Sequence, residues 1–126
     1  MQEQLGLTPA EWNLMECLWE HHGCTGRQAV DYMKKHIGWS RSTTLTMLRR
    51  MTEKGLIAAD SNSGLLTYTP MLRREDATLA ETRSFIDRVY KGSIGLLLST
   101  MTRKQQLTPD EIHELYEILR TAEERA

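Results

Sequence analysis

The chain has 126 residues, 40% hydrophobic and 26% charged, with a formal net charge of −1. That length fits one domain or one small domain with an appendage, and with a single Phe the core must rest on Leu, Met, Ile and Val. No apolar run approaches the roughly 20 residues of a membrane helix, and the N-terminal MQEQLGLTPAEW lacks the basic start and apolar stretch of a signal peptide. A soluble cytoplasmic protein without a membrane partner is therefore expected. In that compartment Cys17 and Cys24 give no disulfide framework.

Thr8-Pro9-Ala10-Glu11 is a helix start. Thr8 can cap, Pro9 suits the first helical position, and Glu11 completes a capping box. Trp12, Met15, Leu18 and Trp19 then recur at helical spacing, and His21-His22-Gly23 ends the helix. Thr25, with Gln28 three residues on, opens a second helix whose apolar face is Ala29, Val30 and Met33. It fades at His36-Ile37-Gly38. Ser40 caps a third helix over 41–54, and Gly55 suits its C-terminal cap.

At about 100° per residue, Thr44, Met47, Leu48 and Met51 of the third helix share one arc. Ser42, Thr43, Thr46, Arg50 and Glu53 share the opposite arc, with Leu45 and Arg49 on a border. The spacing predicts a buried seam facing the protein and a hydroxyl-and-guanidinium face pointing outward. Leu56–Ala59 reads as a strand, Asp60–Gly64 as a turn, and Leu65–Thr69 as a returning strand closed by Pro70. Three helices followed by a hairpin is the order of a winged helix-turn-helix.

Residues 75–104 are amphipathic and helix-prone, with Leu79, Phe85, Ile86, Val89 and Tyr90 as the apolar set. Gly92-Ser93 interrupts them, and Leu96, Leu97, Leu98 and Met101 follow. Thr108-Pro109-Asp110-Glu111 repeats the capping design of residues 8–11 and opens a last helix carrying Ile112, Leu115, Tyr116, Ile118 and Leu119. Some fifty residues in two or three helices leave apolar faces uncovered, and a second copy of the chain is the simplest cover. The expected organisation is mainly α with a small β-hairpin: a winged-helix domain at 1–72 and a helical dimerisation domain at 73–126. The dimerising residues are expected to be Phe85, Val89, Leu97, Leu98, Met101, Ile112, Leu115 and Leu119.

Charge is distributed unevenly. Residues 27–54 hold seven basic side chains (Arg27, Lys34, Lys35, Arg41, Arg49, Arg50 and Lys54) against Asp31 and Glu53, whereas residues 75–126 hold 7 Lys/Arg against 10 Asp/Glu. A local basic zone suits a polyanion. A major groove admits one helix, arginines pair with guanine edges and phosphates, and Ser and Thr hydroxyls bond to either. Arg41, Ser42, Thr43, Thr46, Arg49 and Arg50 are the candidate readers of double-stranded DNA, with Leu45 near a thymine methyl. Arg27 and Lys34 or Lys35 are candidate phosphate contacts.

Several segments together are similar to the penicillinase-repressor family, the BlaI/MecI group with its copper-responsive CopY relatives. They are LTPAEWNLMECLW, the T-x-x-x-x-V of the second helix, STTLTMLRRMTEKGLI, a Tyr-x-Pro exit from the wing, and FIDRVYKGS. The resemblance runs from about Leu7 to Leu119. It implies a homodimeric winged-helix repressor that binds a palindromic operator, with the recognition helix on Arg41–Lys54 and the C-terminal helices dimerising. Two departures stand out. The family's β-lactamase members are cleaved at an Asn-Phe bond by a membrane-bound sensor protease, whereas this chain reads Leu98-Ser99-Thr100-Met101-Thr102 there. The resemblance therefore does not carry cleavage by that inducing protease over to this chain. The copper-responsive members carry paired cysteines near the C-terminus, and this chain has no cysteine after Cys24. The wing, residues 56–70, also lacks Lys and Arg, so weak wing contacts are expected, with Arg73 and Arg74 as compensating charges.

Two other functions are open at this point. One is a winged helix that binds proteins and not DNA. The other is a metal-responsive regulator using Cys17, His21 and Cys24, in a C-x3-H-H-x-C run whose first two ligands lie one helical turn apart. The simpler expectation for that run is a helix end, with no bound metal and no cofactor. No G-x-S-x-G, Walker loop or H-E-x-x-H motif occurs, so no enzymatic activity is expected.

Overall fold

The computed structural model describes residues 6–61 and 64–126. Residues 1–5 of the segment read for a leader, and Asn62 and Ser63 of the expected turn, lie outside the described residues. The elements run α1 (Pro9–Glu20), β1 (Cys24–Thr25), α2 (Gly26–His36), α3 (Arg41–Glu53), β2 (Ile57–Asp60), β3 (Thr67–Pro70), α4 (Arg74–Tyr90), α5 (Ile94–Arg103) and α6 (Pro109–Arg125). The chain divides into two compact units, Met1–Thr82 and Arg83–Ala126. No helix among the described residues is long and apolar enough to cross a membrane.

Local chemistry sets the helix starts. Complete capping boxes form at Thr8/Glu11, Thr25/Gln28 and Thr108/Glu111, each satisfying two backbone N–H groups that would otherwise lack partners. Ser40 caps α3 by accepting the Thr43 N–H at 3.2 Å, and Ser93 caps α5. After α3 the chain turns at Gly55, whose φ of 82° carries little strain for glycine and is costly for other residues.

The first unit is a three-helix cluster closed by a three-stranded antiparallel sheet of order β1-β3-β2. Its core is Leu14, Met15, Cys17, Leu18, Cys24, Ala29, Met33, Leu48, Met51, Leu56 and Ile57, with Trp19, Tyr32, Trp39, Met47 and Tyr68 packed around it. The expected seam of α3 is reproduced: Thr44, Leu48 and Met51 are fully buried and Met47 half-buried. The Thr44 hydroxyl donates to the Ser40 carbonyl at 3.1 Å, which lets a polar side chain sit in that seam. On α1, Trp12 and Trp19 flank the core in an edge-to-face pair 5.4 Å apart, and Leu14 and Cys17 join Met15 and Leu18 inside.

The wing departs from expectation in two respects. Leu65 and Leu66 lie outside the returning strand, because β2 ends at Asp60, whose partner is Thr67. A third strand, β1, pairs Cys24 with Tyr68 and Thr25 with Thr67.

The second unit contains the C-terminal part of α4 with α5 and α6. Neither α5 nor α6 has a buried residue. Among the residues expected to dimerise, Phe85, Val89, Ile112 and Leu119 are exposed, and Leu97, Leu98, Met101 and Leu115 are half-buried.

Candidate nucleic-acid interface

The site starts with the burial of α3. Because Thr44, Leu48 and Met51 face inward, the helix must turn its other side to solvent. Arg41, Ser42, Thr43, Leu45, Arg49, Arg50 and Glu53 are exposed, and Thr46 is half-buried. All six α3 residues expected to contact DNA therefore lie on one helix, with Thr46 at the rim of the face.

The N-terminal end of this face is a hydroxyl cluster. The Ser40 hydroxyl donates to the Thr43 hydroxyl at 3.0 Å and lies 3.2 Å from the Ser42 oxygen. These bonds hold three small donor–acceptor groups at the positive end of the helix dipole, a favourable setting for an anion. Farther along, Arg49 reaches Glu53 at 3.5 Å, with both side chains largely exposed. Arg50 makes no side-chain hydrogen bond or ion pair among the described residues.

Arg27 joins the face through the fold. The first turn of α2 packs so close to α3 and β3 that a Cβ on Gly26 would lie 3.8 Å from Leu45 and 3.9 Å from Tyr68. Gly26, Arg27, Arg41, Leu45, Leu66 and Tyr68 consequently line one open groove. Two guanidinium groups 14 residues apart in sequence thus flank a single depression, with an aromatic ring in its wall. Lys34 and Lys35 are exposed in the last turn of α2. Sequence reasoning did not include Leu66 and Tyr68. Tyr68 lies in β3 and Leu66 just before it, and no pattern within the segment links either to a helix more than 20 residues earlier.

Other charges are engaged inside the first unit. Lys54 pairs with the buried Glu11. Arg73 pairs with Glu75, while Arg74 reaches Glu16 at 2.7 Å and lies over the Trp19 ring at 5.0 Å. The Arg74 contacts tie the start of α4 to α1.

The C-x3-H-H-x-C run is split by the fold. Gly23, at φ 69°, turns the chain so that Cys24 comes back to Cys17, with 4.0 Å between their sulfurs. His21 faces outward beside Glu20 and the Tyr32 ring, and His22 lines a separate groove with Trp19, Met71 and Leu72. Among the described residues no three His, Cys, Asp or Glu side chains converge as a metal site.

The sequence model described as "Penicillinase repressor" matches residues 7–121. The chain belongs to the penicillinase-repressor family. It is 29% identical over 113 residues to the penicillinase repressor of Bacillus licheniformis, covering 90% of this chain and 88% of that one. It is 27% identical over 113 residues to the methicillin resistance regulatory protein MecI of Staphylococcus aureus strain N315, covering 90% and 92%. Among solved structures, it is similar to the monomeric form of B. licheniformis BlaI in complex with the blaP half-operator. There the TM-score is 0.51 at 27% identity, over 56% of this chain and 85% of that one. The DNA-binding domain of the repressor BlaI gives a TM-score of 0.51 at 26% identity, over 60% and 93%. The family is one of transcriptional repressors and not of enzymes, and the matched structures are winged-helix domains.

Proposed function

We propose that this penicillinase-repressor family member is a homodimeric repressor that binds a palindromic DNA operator through α3. One observation carries the reading: α3 exposes Arg41, Ser42, Thr43, Leu45, Arg49 and Arg50 while Thr44, Leu48 and Met51 anchor the same helix in the core. A rigid helix with guanidinium and hydroxyl groups on its free face has the chemistry to read base edges in a major groove. The groove holding Arg27 and Arg41 supports a phosphate contact beside it. The BlaI monomer in complex with a half-operator supports the same role for this chain.

In this reading residues 1–72 form the DNA-binding domain and residues 73–126 the dimerisation domain. Support for the dimer comes from the second unit. Phe85, Val89, Ile112 and Leu119 are 37–57% exposed in the single chain, and α5 and α6 have no buried residue. Pairing two chains would withdraw those surfaces from water at roughly 25 cal/mol per Å² of apolar area. It would also hold two α3 helices at a fixed spacing for two half-sites.

The test is selection of bound sequences from random duplex DNA by the full chain at physiological salt. A palindrome with half-sites about one helical turn apart is the expected product. Recovery of nothing above background overturns the reading and favours a protein partner.

A further inference from the structure

We propose that Cys17 and Cys24 form a modification site, a buried dithiol that a hydroperoxide converts into an intramolecular disulfide. The two thiols are free, 0% and 1% exposed, and their sulfurs are 4.0 Å apart across the α1–β1 corner. A disulfide needs about 2.05 Å between sulfurs, so closure requires a local approach of roughly 2 Å. One side of the pair can supply it. Cys17 lies in α1 between the fully buried Met15 and Leu18, which fix that helix. Cys24 lies in β1, a two-residue strand at the edge of the sheet. An edge strand held by two residue pairs opens far more readily than a packed helix, which also gives the oxidant its access.

Either sulfur of the pair can donate the hydrogen bond between them. Cys24 sits on the strand that opens and so meets the oxidant first, and its thiolate is the attacking group. It attacks the hydroperoxide, the O–O bond breaks, an alcohol or water leaves, and Cys24 becomes a sulfenic acid. The Cys17 sulfur then attacks that sulfur, the S–O bond breaks, water leaves and the S–S bond forms. The two sulfurs together lose two electrons and the peroxide gains them.

Movement of β1 reaches the polar face. Thr25, its second residue, caps α2 just before Arg27, and Cys24 pairs with Tyr68, which lines the groove with Arg27 and Arg41. The disulfide is therefore expected to weaken DNA binding, a consequence that rests on the function proposed for α3.

The full chain is treated with hydrogen peroxide, denatured, alkylated and weighed intact without reductant. The expected product is a single chain lighter by two hydrogens, with neither cysteine alkylated, that dithiothreitol returns to two alkylatable thiols. Cys17→Ala and Cys24→Ala are each expected to lose this product. Two alkylatable thiols after treatment, or only sulfinic and chain-to-chain products, overturn the site. On the selected duplex, oxidised protein is expected to bind at least tenfold more weakly than reduced protein, and equal affinities overturn the coupling. If reduced protein binds no duplex, the DNA-binding reading fails while the mass measurement still decides the dithiol.

Discussion

Arg50 offers the sharpest test of how the outward face of α3 works. Its side chain is exposed and makes no hydrogen bond or ion pair among the described residues, unlike Arg49, which reaches Glu53 at 3.5 Å. Alanine at this position keeps a good helix former and leaves the packing of the fold intact, so stability should change by no more than about 0.5 kcal/mol. Removing an arginine–base pairing costs about 1–3 kcal/mol, or roughly 5- to 150-fold in Kd. A symmetric dimer makes that pairing twice, so the full operator should lose about 2–6 kcal/mol. The assay is fluorescence anisotropy with the selected duplex, the same duplex altered at single base pairs, and an unrelated duplex, each at two salt concentrations. Arg50→Ala should lose most on the selected duplex and lose its discrimination at one base pair of each half-site. An equal loss on all three duplexes, with a shallower salt dependence, would make Arg50 a phosphate ligand. No loss on any duplex would refute the assignment of this face to base reading.

Four further outcomes are expected. Lys34→Ala with Lys35→Ala should weaken binding to every duplex alike and lower the salt slope by roughly 1 for each phosphate no longer neutralised, read from titrations over a salt series. Leu119→Glu puts a charge where the single chain is 57% exposed, so the first unit should keep its fold while sedimentation equilibrium reports a monomer; a stable dimer would exclude this part of α6 from the interface. Leu48→Ala empties a fully buried position and should cost about 2–5 kcal/mol in urea unfolding. Glu11 is held in its charged form: burial opposes ionisation, but bonds from Lys54 and Thr8 outweigh it and lower its pKa below the ordinary 4.5. That stabilisation is complete above the unfolded value and is lost as pH falls through the folded one. Glu11→Gln should therefore be less stable than the parent at pH 7 and lose less stability on acidification, followed by thermal unfolding across pH 3–7, a window set by the ordinary carboxylate range.

The helix starts were legible because capping is chemistry between residues i and i+3. Thr8 with Glu11, Thr25 with Gln28, and Thr108 with Glu111 name their own boundaries, and Gly92-Ser93 marks the break between α4 and α5. The two sides of α3 were legible for the same reason, since a period of 3.6 residues places Thr44, Leu48 and Met51 together whatever they pack against. Leu65 and Leu66 were misplaced because strand propensity is local and pairing is not. Their run is apolar, but the facing strand has already ended at Asp60.

By itself, then, the sequence determined the order of the helices and of the hairpin, the inward and outward sides of α3, and the apolar excess of the C-terminal helices, all properties of neighbours along the chain. Only the tertiary structure decided the rest. The bond between β1 and β3 exists because Gly23 turns Cys24 toward an edge 44 residues away in sequence, at Tyr68. The same turn sets Cys24 against Cys17, whereas His21 faces outward, so side chains close in the sequence end in different places. Arg27 joins Arg41 because the first turn of α2 packs close against α3 and the wing. Contacts of this kind depend on where several elements meet, and no periodicity within one element encodes that.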